Sequence, residues 1–365
     1  MMASGQPCDL SYGIVKLEEV ADLICYHIIT PIYFFVGMFG NLTLLAAFYN
    51  QSKKEGAYAY QVFLCISKTC EIIAFSAFTV TFKLAAAAAQ INDNGGVEWF
   101  KKNYFLMFYV AHIVCVGLNV FITSSLFCSV AMTADRVFAL ARPFVYKNIN
   151  HMRHQIVAAV CCFGFSLLFN LYDAWSWILV SRGSWANGTA AYIIRANPDF
   201  IGTDLSMGLS NFRTAIRLIC VAVLIGLNVS MALLFRKRFR KVDNIAGSGD
   251  TGKEAERRKA EKTLLILTIY QSVLTTVSQV PHCAYYVAQF ASVRFTRCWG
   301  AVLAPFVDGC IQICDALDFF IIIMINQRMR RAILKVLPRC FGGGEISAFP
   351  TTNGGSVSVR QLQNG

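Results

Sequence analysis

Seven separate stretches of this chain are each long and apolar enough to cross a lipid bilayer as a helix. They cover residues 23–49, 58–89, 104–133, 155–180, 216–235, 263–290 and 299–325. A span needs about 20 mainly apolar residues to bridge the hydrocarbon. Inside lipid each backbone N–H and C=O must be satisfied within the protein, which selects helices over sheets with open edges. With 56% of 365 residues hydrophobic and 15% charged, a soluble fold could not hide the apolar surface. The expected class is an all-α, polytopic membrane protein built as a seven-transmembrane helix bundle. The second span is the least regular, since Lys68, Glu71 and Lys83 interrupt it and an alanine run ends it. Residues 1–22 lack the basic-then-apolar run of a cleavable signal, so the first span is expected to direct insertion.

Lys and Arg set the orientation, because basic loops stay on the cytoplasmic side. One set of loops holds Lys53 and Lys54, then Arg142, Lys147 and Arg153, then Arg236–Lys241 with Arg257–Lys262; Arg328, Arg330 and Arg331 follow the last span. The alternate loops are poorer in bases. The N-terminus is therefore expected outside and the C-terminus inside, at the plasma membrane. The net charge of +12 then reads as attraction to anionic membrane lipids, and no nucleic-acid partner is expected. Asn187-Gly188-Thr189 is a glycosylation acceptor in an outer loop. Cys8 and Cys298 are placed outside, where a bridge between them would tie the N-terminus to the last outer loop; unpaired thiols are the alternative. Cys340 follows a basic segment, either palmitoylated or an unmodified thiol.

An acid–base pair closes the third span, Asp135-Arg136-Val137, with Arg142-Pro143-Phe144 just beyond. A charge at the edge of hydrocarbon is costly, so its retention points to a task. Gly40-Asn41-Leu42 lies in the first span, Pro281 in the sixth and Asp318-Phe319-Phe320-Ile321-Ile322 in the seventh. On these motifs the chain resembles the rhodopsin-like (class A) G-protein-coupled receptors over roughly residues 28–340, most of all the divergent invertebrate-type peptide receptors. The resemblance implies a short cytoplasmic amphipathic eighth helix at 326–340, carrying Met329, Ile333 and Val336 among bases. The expected layout is an extracellular N-terminus at 1–22, the bundle at 23–325, that helix, and a disordered cytoplasmic tail at 341–365.

By the same resemblance Asp135, Arg136, Val137 and Pro143 form the switch for a heterotrimeric G protein, with Asp135 restraining Arg136 by a charge-assisted hydrogen bond. Ligand-pocket positions carried over are Leu118, Asn119, Ile122, Gln279, His282, Tyr285, Tyr286, Asp308 and Gln312, for an extracellular neuropeptide or other small ligand. Leu118 stands where amine receptors carry an aspartate, which argues against an amine held that way. Gln312 stands where opsins carry the retinal lysine, so no such cofactor is expected. The departures are Lys68 at the second-span aspartate, Asp318, Phe319 and Ile322 in the seventh-span motif, Gln279 at the aromatic toggle, and Ala111 at the outer cysteine.

The polar groups expected inside the bundle are Asn41, Lys68, Glu71, Asp315 and Asp318. A buried Lys needs an opposite charge; the resemblance implies that Asp318 faces Lys68 across the bundle, while Glu71 offers a carboxylate one turn away. A Lys68–Asp318 bridge would put a fixed cation where the family holds sodium. On the seventh span Asp308, Gln312, Asp315 and Asp318 share one stripe, which must face the interior or a watery path. Asp308 would hold a cationic group of a ligand, or pair with Arg213, Arg217 or Lys83.

An enzyme would need a nucleophile, dyad or metal cluster. The five His, at positions 27, 112, 151, 154 and 282, match no zinc site, so neither a catalytic role nor a metal is expected. The alternative class is an ion or proton channel or transporter using Lys68, Glu71, Asp308, Asp315 and Asp318. Against it stands the lack of repeated halves.

Overall fold

A computed structural model describes residues 17, 20–21, 23–52, 58–91, 104–148, 151–184, 190–243, 252–291, 293–326, 330–331 and 333. Among them are seven helices of 20 residues or more: α1 (Thr30–Ser52), α2 (Ala59–Ile91), α3 (Cys115–Ala141), α4 (His151–Asn170), α5 (Asp204–Asp243), α6 (Gly252–Ala291) and α7 (Val293–Ile325). Five stretches are both long and apolar enough to cross a membrane: Leu23–Gln51, His112–Ala141, Met152–Ser176, Asp204–Lys237 and Lys262–Ala288. Helices α2 and α7, 33 residues each, are as long but carry ionisable side chains along their length. The protein is thus a helical, membrane-compatible fold.

Helix α3 sits at the centre, packed against α2, α4, α5 and α6, while α1 touches α2 and α7 and so closes the ring. Leu44, Ala47, Phe48, Cys65, Leu264, Leu267 and Ile322 join α1, α2, α6 and α7 in one apolar cluster. A second cluster joins α3, α5 and α6 through Leu140, Met231 and Leu265. Phe35, Leu168, Leu233 and Met324 point outward and are each about two-thirds exposed, the inside-out pattern of a bundle whose solvent is lipid. Gly40 lets α1 lie close against α7: a Cβ there would stand 2.8 Å from the Phe319 ring, so any larger residue would force the aromatic to move.

Two π-helical turns modify the helix starts. Leu23–Ile29 leads into α1, and the Thr30 hydroxyl lies 2.9 Å from the Cys25 carbonyl, five residues back. Tyr109–Val114 leads into α3 behind the short helix Tyr104–Phe108. Such widened turns re-aim side chains without breaking the helix. Pro281 lies inside α6 and Pro305 inside α7; each removes a backbone donor from its helix.

Several element boundaries differ from those read in the sequence. The fourth span, expected over 155–180, ends its helix at Asn170. After a single turn at Asp173–Ser176 it becomes strand β1 (Trp177–Ser184), paired antiparallel with β2 (Ala190–Ala196), Trp177 opposite Ala196. Asn170 and Asp173 turn inward to polar partners there, and the Trp-Ile-Leu-Val run that follows favours extended backbone. The described structure is therefore not purely α-helical, since residues 177–184 and 190–196 form a two-stranded antiparallel sheet. Helix α5 starts at Asp204 rather than 216; an acid in its first turn complements the helix dipole. Helix α6 begins at Gly252, well before 263. These polar extensions escape a hydropathy reading because only the apolar part of a helix is visible to it.

Candidate functional site

The polar residues form three groups along the interior. The first lies at the end of α3. Asp135 and Arg136 are both buried there, but the Arg136 Nη1 to Asp135 Oδ2 distance is 3.9 Å, an ion pair outside hydrogen-bond range. The expected direct hydrogen bond is thus not the contact that fixes Asp135. Its Oδ2 accepts instead from the Tyr146 hydroxyl at 2.9 Å and from Gln155 Nε2 at 3.3 Å. Tyr146 belongs to the short helix Pro143–Lys147, started by Pro143 in its first turn, where a proline's fixed φ is favourable. Burial, with Asp135 adding and Arg136 opposing, pushes the Tyr146 hydroxyl up to about 12, so it remains a donor at any physiological pH. Val137 packs beside the α3–α5–α6 cluster.

The second group joins α2 and α7. Lys68 Nζ lies 2.8 Å from Asp315 and also bonds Asp318; all three are buried. One ammonium therefore bridges two carboxylates that stand one turn apart. Glu71, the nearer candidate, makes no ion pair with Lys68. It lines a cavity with Tyr33, Phe75, Leu118, Ile122, Asp308, Ile311 and Gln312. The space measures about 20 Å³, room for about one water molecule. The acidic stripe of α7 does face inward: Gln312, Asp315 and Asp318 are buried and Asp308 is half-buried. Gln312 also meets the Thr30 hydroxyl at 3.1 Å. Asn41 is buried in α1.

Around the end of α4 and the first half of α5 lies the third group. Arg213 Nη1 donates to Asp173 Oδ2 at 2.6 Å and its guanidinium covers the Tyr172 ring at 5.2 Å. Asn119 Nδ2 donates to the same Asp173 oxygen at 3.0 Å. The Asn119 carbonyl accepts from Arg217 Nη2 at 3.3 Å, and Thr123 Oγ1 accepts from that nitrogen at 2.8 Å. His282 stands edge-on to Tyr286, ring centres 4.8 Å apart. Of the partners considered for Asp308, Arg213 and Arg217 are engaged here instead, and the Lys83 side chain lies outside the described residues.

Four expected pocket residues, Leu118, Ile122, Asp308 and Gln312, meet at the cavity. His282 and Asn119 belong to the arginine group, with Tyr286 against His282 and Tyr285 edge-on to Tyr286. Gln279 is buried on α6. Asp173, Arg213, Arg217, Tyr146 and Gln155 are site residues that the motifs passed over. Asp173 carried a usable signal, since an acid inside an apolar run obeys the same rule that singled out Asp135. Asn187, Cys8, Cys340, residues 341–365 and most of 326–340 lie outside the described residues, as does the side chain of Cys298. Among the described residues no cluster could hold a metal ion. Compared with known proteins, the chain matches no family model and no curated sequence.

Proposed function

We propose that this protein is a seven-helix receptor of the plasma membrane, with its N-terminus outside and an amphipathic eighth helix beyond α7, that answers an extracellular ligand by activating a heterotrimeric G protein. The observation that carries this reading is the buried Asp135–Arg136 pair at the end of α3, with Asp135 held by Tyr146 and Gln155. A buried charge retained at a helix end, clamped through its neighbour by a tyrosine and an amide, is built to be released. Helix α6, carrying Pro281 in its interior, is the element that would swing and uncover Arg136 to a helix of the G protein, a helix-in-groove contact. Ligand binding would shift the population toward that open state by binding it more tightly than the closed one.

The test is guanine-nucleotide exchange on a purified G protein by the full-length protein in lipid nanodiscs. Tyr146→Phe and Asp135→Asn should raise basal exchange, and Arg136→Ala should abolish it. Exchange that is absent in all four proteins, or unaltered by Arg136→Ala, would reject the receptor reading. A second reading, an ion or proton path, draws on the excess of buried carboxylates around Lys68. Ion flux through proteoliposomes without any G protein would favour it.

A further inference from the structure

Arg217 is the least satisfied charge in the molecule's described interior. It is 2% exposed, yet its only acceptors among the described residues are the neutral Asn119 and Thr123, both bonded to Nη2. A guanidinium carries five N–H donors. Two sit on Nη2; the other three, on Nε and Nη1, have no partner. The nearest carboxylate of the group, Asp173, is committed to Arg213, one turn before Arg217 on the same face of α5. Two guanidiniums thus share one acid, and like charges at that spacing repel. Glu71 lies within electrostatic reach of Arg217 but makes no ion pair with it. His282, within reach of both arginines, is also buried and leaves Nδ1 without a partner.

We infer that Arg217, buried between α3, α5 and α6, anchors a carboxylate, and that the carboxylate of the ligand supplies the missing negative charge. Within the Arg213–Arg217–Asp173 group one positive charge is in excess, which a singly charged anion would balance. Arg217 keeps open N–H donors on Nε and on Nη1, from which a carboxylate would accept a charge-assisted hydrogen bond. This inference rests on the receptor reading and names the chemical class of its ligand. The carboxylate belongs either to a small organic acid or to the C-terminus of a peptide.

Thermal unfolding of the full-length protein in nanodiscs tests it without any G protein. One arm compares benzoate and hexanoate with benzamide and hexanamide. The other compares the dipeptide Leu-Phe as free acid and as amide. At least one free acid should raise Tm, with its amide needing about tenfold more or worse, the loss of one charge-assisted hydrogen bond. Arg217→Gln should remove the response. Thr123→Asp keeps the guanidinium but sets a carboxylate against Nη2, where Asn170 also donates. It should unfold no earlier than the wild type and ignore the acids. Acid and amide acting alike, no acid acting in either arm, inorganic phosphate outperforming every carboxylate, or Thr123→Asp responding fully would each overturn the inference. Acid binding without nucleotide exchange would fault the receptor reading alone, and exchange without acid binding would fault the carboxylate site alone.

Discussion

Lys68 and Arg217 are two buried cations in one bundle, and their surroundings are opposite. Lys68 is enclosed by Asp315 and Asp318, while Arg217 meets only neutral oxygens. Desolvating a charge costs several kcal/mol, recovered only when a counter-charge and hydrogen bonds are in place. On the α2–α7 side the cation has counter-charges to spare, with Asp318 Oδ1 left without a hydrogen-bond partner, and the bridge serves to bind helix to helix. The α5 side is incomplete by one negative charge, and a deficit of that kind is what an external anion can fill. Architecture and recognition have been given to different cations.

Removing the paired cation should have the largest effect. Lys68→Met strands two adjacent buried carboxylates and should cost about 3–5 kcal/mol, read as loss of folded protein in a thermal or denaturant scan. Adding Asp315→Asn and Asp318→Asn should restore most of it. A Lys68→Met protein as stable as the wild type would show that the bridge holds nothing together. Next comes Asp173→Asn, which leaves both Arg213 and Arg217 without an acid. A loss of about 3 kcal/mol is expected, with the carboxylate response sharpened because the cluster now lacks two charges.

Gly40→Ala probes the scaffold that presents the two α7 acids to Lys68. Its Cβ would meet Phe319, and such overpacking costs about 1–3 kcal/mol; Phe319→Leu in the same chain should relieve part of it. Were Gly40→Ala silent, α7 would be held by the ion pair and not by its contact with α1. The smallest and most telling change is Arg217→Gln. It deletes a buried charge with no acid of its own, so Tm should hold steady or rise by the equivalent of about 1 kcal/mol. The sign is opposite to that for Lys68→Met. A large loss there would mean that Arg217 is already paid for by Glu71 or Asp173, and the contrast between the two cations would collapse.

Much of this was legible in the chain, and the reasons are local. Each long apolar run holds a helix of 20 residues or more, five of them apolar enough to cross a membrane, since length and composition are properties of a segment. Lys68 and Asp318 are matched in the sequence only through the receptor resemblance, which sets those positions face to face, together with each buried charge's need for an opposite one. Asp315 as the second partner of Lys68 was less visible, although it lies on the same stripe; deciding between Asp315, Asp318 and Glu71 requires the distance between helices. The start of strand β1 (Trp177–Ser184) was hidden at the end of an apolar run, where periodicity cannot separate a buried strand from a helix end. Tyr146 and Gln155 come from elements whose own sequence gives no hint that they meet Asp135.

The sequence alone set the solvent of this protein: apolar segments of bilayer length with few charges leave no other medium, and the sparse ionisable residues within them had to turn inward. Tertiary packing alone decided which charge meets which. Ion pairing depends on a few ångströms between helices far apart in the chain, and no segment carries that distance within itself. That is why a surplus of carboxylates beside Lys68 and a shortage beside Arg217 emerge only when the seven long helices are brought together.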